Sequence, residues 1–93
     1  MTLAQAAALV DGRIGAGDPG LSIRAVAPLV SAPPGSIAAV IGKSAVLRLA
    51  KSRAAALLVT EVMAGTAGDR PHIIVDRPGD AARLLEKHLR TRA

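Results

Sequence analysis

The stretch AALLVTEVMAGTAGDRPHIIVDRPGDAARLLEKHL, residues 55–89, decides the fold. Within it, AALLVTEV (55–62) and HIIVD (72–76) are apolar runs bounded by polar residues, the pattern of strands covered on both faces. Both are expected to be interior strands of a parallel sheet. MAGTAGDRP (63–71), small and polar, is expected to join them as an exposed loop. Pro78 suits the first position of a helix, since its missing N–H would have had no partner there. Ala81, Leu84, Leu85, His88 and Leu89 then fall at the i, i+3, i+4, i+7, i+8 spacing of one buried helical face.

Toward the N-terminus the same logic adds further elements. Thr2 and Gln5 have the spacing of a capping box, and Leu3, Ala6, Ala7 and Val10 follow at helical intervals, so a first helix is expected over Leu3–Val10. The glycines at 12, 15, 17 and 20 and Pro19 leave room only for a short strand near Arg13 and Ile14. In LSIRAVAPL (21–29), apolar Leu21, Ile23 and Ala25 alternate with Ser22 and Arg24, the period of a half-buried strand ended by Pro28. SAPPG (31–35) cannot continue a helix or a ladder, because its prolines lack donors, and it forms a rigid connector. SIAAVI (36–41) is a short buried strand. Ser44 is placed to cap a second helix carrying Val46, Leu49, Ala50 and Arg53 on successive turns, with Lys51 and Arg53 where the helix dipole favours cations. The expected fold is therefore one α/β domain over residues 1–93, a small mixed sheet flanked by about three helices.

Composition limits what such a domain can do. Apolar residues make up 51% of the chain, yet there is no Phe, Tyr or Trp, so the core must be aliphatic and the platforms on which nucleobases are usually held are missing. Without cysteine there is no disulfide, thiolate nucleophile or Cys-based zinc site, and two histidines distant in sequence are a poor start for a metal site. No cofactor is called for. The N-terminal apolar stretch is too short and alanine-rich for a signal peptide or a membrane span, so a cytoplasmic protein is expected. The net charge of +5 includes Arg83, Lys87, Arg90 and Arg92 near the C-terminus. These could meet an acidic partner, but a solvated helix face whose cations suit the dipole explains them as well. Charge alone supports nucleic-acid binding, which is disfavoured.

Few residues invite a chemical role. IGKS (41–44) resembles the end of a phosphate-binding P-loop, but Ile37 stands where that loop needs a glycine. Gly42, Lys43 and Ser44 still open a helix, where anions are favoured, and are the candidate ligand-binding residues. A plain strand-to-helix turn is the simpler account. His72 and His88 each lack an acidic neighbour at an orienting spacing and are more simply packing or surface residues. Asp76 is a polar strand end or a cap before the last helix. Ser22, Ser31, Ser36, Ser44 and Ser52 lie in no nucleophile elbow. No catalytic residue is assigned, and the chain is not expected to be an enzyme on its own.

Four pieces, LVDGRIGAGD, LSIRAVAPLVSAPPGSIA, LAKSRAAALLV and HIIVDRPGDAARLL, follow one another between Leu3 and Leu89. In content and order they resemble the amino-terminal domain of UDP-3-O-acylglucosamine N-acyltransferase, a lipid A biosynthetic family. Mur ligases share a related domain, but their usual Asp-Ser-Arg triplet is absent. The resemblance implies a Mur-ligase-like uridine-binding cap, whose catalytic partner in the family is a separate β-helix of hexapeptide repeats; neither histidine inherits that role. It also marks departures. Where the family has Phe, Asn and Tyr around uracil, this chain has Ala39, Gly42 and Ala45. Losing two aromatic platforms, each worth on the order of 1–3 kcal/mol, implies weakened uridine recognition. The expectation is a binding domain for a UDP-sugar; the alternative is a module that uses the same fold for protein partners or self-association.

Overall fold

The computed structural model describes residues 1–42 and 45–91. In chain order the elements are α1 (Leu3–Leu9), β1 (Arg13–Ala16), β2 (Ala25–Val26), β3 (Ser36–Ala39), α2 (Ala45–Leu49), β4 (Ala56–Val59), α3 (Ala64–Ala67), β5 (His72–Ile74) and α4 (Pro78–Thr91). The strands form one sheet in the order β1-β5-β4-β3-β2. β2 to β5 run parallel, and β1 lies antiparallel on β5 at the edge. The fold is thus α/β with a mixed sheet, as expected, with four helices among the described residues rather than about three.

Strand alternation sends neighbouring side chains to opposite faces, and both faces are covered. On one, Ile37, Ala56, Leu58 and Ile73 pack against Leu3, Ala6 and Ala7 of α1 and Ala81 and Leu85 of α4. On the other, Ala38, Leu57 and Val59 pack beneath Ala45 and Leu49 of α2, Ala67 of α3, and Leu29 and Ala32 of the connection after β2. This layering explains why β4 reads as an unbroken apolar run: all four of its residues are buried.

α1 begins as its sequence predicts. The Thr2 hydroxyl accepts from the Gln5 N–H at 3.1 Å, and the Gln5 side chain accepts from the Thr2 N–H at 2.8 Å. The helix closes with Gly12 N–H donating to Ala7 O at 2.9 Å and Asp11 N–H to Ala8 O at 3.3 Å, with Asp11 left-handed at φ 55°.

Four expectations are corrected. The segment 63–71 is not all loop: α3 forms one turn there, braced by the Thr66 hydroxyl on Met63 O at 2.6 Å, and buries Ala67. The alternating stretch from Leu21 is two pieces, because Leu21 to Ile23 pair with residues 1–3 before Arg24 turns to Gly35. Only Ala25–Val26 joins the sheet, and Ala25 is exposed. α2 stops at Leu49, leaving Ala50 exposed and Arg53 beyond the helix. On α4, Ala81 and Leu85 are buried and His88 and Leu89 half-buried, but Leu84 is 43% exposed. Pro78 opens α4 as expected.

Arg70 accounts for the early end of α2. Its guanidinium donates to Leu49 O at 2.5 Å, Ser52 O at 3.0 Å and Ala54 O at 3.2 Å, taking the last helical carbonyl and fixing the turn into β4. Charge-assisted bonds of this kind are individually strong, and here they reinforce a turn in which Leu49 O also accepts from Ser52 N–H at 3.2 Å. Arg70→Met is expected to cost about 2–3 kcal/mol in urea denaturation; a loss under about 0.5 kcal/mol, typical of surface substitutions, would remove Arg70 from this role.

Candidate functional site

In open α/β sheets, ligands bind in the crevice outside the carboxyl ends of the strands, where connections diverge to opposite faces. Here the chain leaving β3 and β4 passes to the face of α2 and α3, whereas the chain leaving β5 turns to the other face as α4. A crevice opens between them, with a cavity volume of about 340 Å³. Val40, Ile41 and Gly42 follow β3, Thr60 and Met63 follow β4, Arg77 precedes α4, and Pro78 to Asp80 form its first turn. The site has apolar walls and a few polar groups, the usual make-up of a small-molecule pocket.

A second groove of about 530 Å³ continues from it past Ile41 and Gly79. Ala39, Val26 and Pro28 line one side, and Ala82, Arg83 and Glu86 of α4 the other. Asp80 lies between two cations, with Arg77 at 3.8 Å and Arg83 at 3.9 Å. These side chains are well exposed, so the pairs contribute at most about 1 kcal/mol each and leave the guanidinium groups able to turn toward a ligand.

The residues singled out from sequence separate here. Gly42 sits on the crevice with a left-handed φ of 81° and open space where a Cβ would stand, so its glycine character serves the backbone turn. Ala39 faces the adjoining groove. Ala45 does not join them: it is 4% exposed and packs into the core beneath α2. Lys43 and Ser44, with the expected cap of α2, lie outside the described residues. Thr60, Met63, Arg77 and Gly79 carry no motif and were not singled out by sequence. Met63, Arg77 and Gly79 follow the carboxyl ends of expected strands, whereas Thr60 falls inside the expected strand 55–62 and comes to the crevice because β4 ends at Val59.

His72 is structural. It is 4% exposed on the sheet face shared with Leu57, and since a carbonyl can only accept, its Nδ1–H donates to Arg70 O at 2.7 Å. Its Nε2 edge lies against Gly15, the irregular position of β1, where a Cβ would stand 2.1 Å from that nitrogen. His88 borders a separate groove of about 410 Å³ with Met1, Gln5, Ala8 and Leu9 of the α1 end of the chain, away from the crevice. Asp76 is exposed in the bend before α4, and the first helical bond there runs from Ala81 N–H to Arg77 O at 3.0 Å. No helix among the described residues is long and apolar enough to cross a membrane. No protein-family model and no curated protein matches the chain.

Proposed function

We propose that this chain is a non-catalytic binding domain whose ligand occupies the crevice outside the carboxyl ends of β3, β4 and β5. The observation that supports it is the divergence of the connections there, with Gly42 on the rim and apolar walls beside Arg77 and Thr60. The resemblance to the uridine-binding cap of the lipid A N-acyltransferases makes a UDP-sugar the first ligand to test. With alanine at 39 and no aromatic residue in the chain, its affinity is expected to be weak, near the millimolar range. Titrating UDP-N-acetylglucosamine, and uridine separately, should move the NMR signals of Ile41, Gly42, Thr60, Met63 and Gly79. Absence of shifts there at millimolar ligand would overturn the proposal.

A second reading, a docking module for protein, has its own support. Val30, Ile41, Leu47 and Val62 are 66%, 63%, 79% and 90% exposed, and all lie in connections leaving β2, β3 or β4. Light scattering after size-exclusion chromatography would register self-association through these side chains; a monomer at high concentration would exclude a second copy as their partner.

A further inference from the structure

The charge of this protein is distributed very unevenly. Residues 19–60 hold Arg24, Lys43, Arg48, Lys51 and Arg53 and no Asp or Glu, whereas the rest of the chain carries seven basic and seven acidic residues. The whole net charge of +5 thus belongs to the segment that builds β2, β3, α2 and β4.

Four of these cations gather at one side of the fold. Arg48 and Lys51 are one turn apart, with Lys51 N–H on Arg48 O at 3.1 Å, and Arg53 follows just before β4. Arg24 lies on the adjacent loop, its N–H on Gly35 O at 2.8 Å, while the next carbonyl, Ser36 O, accepts from Ala55 N–H at 2.8 Å. Two strand spacings, about 10 Å, therefore separate the entries to β2 and β4. All four side chains are exposed, and among the described residues none forms an ion pair; the ion pairs present use Arg13, Arg77, Arg83 and Arg90.

The dipole of α2 does not explain the cluster, because Arg70 already takes the Leu49 carbonyl and places a further positive charge behind it. Exposed aliphatic groups share these elements. Leu47 stands on α2 beside Arg48, and Val30 lies in the loop whose Leu29 and Ala32 pack with Leu49 and Ala54. A nucleic acid would find no ring for its bases here and would gain nothing from Leu47 or Val30.

We infer that the α2 face docks an acidic protein segment, whose carboxylates meet Arg24, Arg48, Lys51 and Arg53 while an apolar side chain covers Leu47 and Val30. This rests on the docking reading above, gives its partner a chemistry, and is independent of the crevice.

The test is an NMR titration of the full chain with four probes: a short helical peptide of Glu and Leu, the same peptide with Gln for every Glu, poly-L-glutamate, and duplex DNA. The Glu/Leu peptide should move the backbone signals of residues 29–32 and 45–53 and bind at least tenfold more tightly than the Gln version. Poly-L-glutamate should bind more weakly than the peptide, and affinity should fall with salt. The combined variant Arg48→Gln, Lys51→Gln, Arg53→Gln should lose binding at least tenfold, with a thermal melt no lower than the parent's because mutual repulsion of the cations is relieved. Equal binding of the Gln peptide would overturn the acidic partner while leaving the docking face. Tighter binding of DNA would make the face a nucleic-acid surface instead. Silence of 29–32 and 45–53 toward every probe would overturn the docking reading itself.

Discussion

Gly15→Val should destabilise the protein by about 2–4 kcal/mol, a large part of the roughly 5–14 kcal/mol expected for a domain of this length. A Cβ at this position would meet His72 at 2.1 Å from Nε2 and 2.6 Å from Cδ2. The ring cannot easily step aside, since it is 4% exposed and its other nitrogen donates to Arg70 O. The added methyl groups would therefore push the edge strand β1 off β5 or expel the imidazole from its site. The double variant Gly15→Val, His72→Ala separates these causes. It should recover at least about 1 kcal/mol relative to the sum of the single changes, the coupling expected of residues in contact. Strict additivity in urea denaturation would show that the clash is not with His72.

The second large effect tests the layering. Leu57 and Leu58 are adjacent in β4 and both 0% exposed, one packed toward α2 and α3, the other toward α1 and α4. Leu57→Ala and Leu58→Ala should each cost about 3–5 kcal/mol, because each leaves a cavity in a separate packed layer. In a two-layer fold one of the two would face water, and its truncation would cost under about 1 kcal/mol. Such an asymmetry would contradict the arrangement described here.

How much could be read beforehand depended on how local each feature is. The capping box of Thr2 and Gln5, the buried run Ala56–Val59 and the stripe of Ala81 and Leu85 are set by neighbouring residues and were legible. α2 was overextended because the group that ends it, Arg70, comes from 21 residues away in sequence. The division of the stretch from Leu21 was hidden because Thr2 and Ser22, distant in sequence, share a bridge. α3 was missed because one turn of Ala-Gly-Thr-Ala has no amphipathic period to detect. At the site, Gly42 was found through its motif, whereas Thr60, Arg77 and Gly79 gain meaning only when the strand ends come together. Ala39 and Ala45 were linked only through the family resemblance, and α2 carries Ala45 into the core.

A ligand crevice that lacks an aromatic platform should respond to one being supplied, which titrating UDP-N-acetylglucosamine in parallel into the parent chain and Ala39→Phe would show. The groove beside Ala39, about 530 Å³, has room for a phenyl ring. Binding by the parent should be weak, with shifts at Ile41, Gly42 and Gly79, and should be tightened at least about fivefold by the new ring, the lower end of what one stacking platform contributes. Shifts confined to other surfaces, or no response at millimolar ligand in either protein, would contradict the proposed crevice.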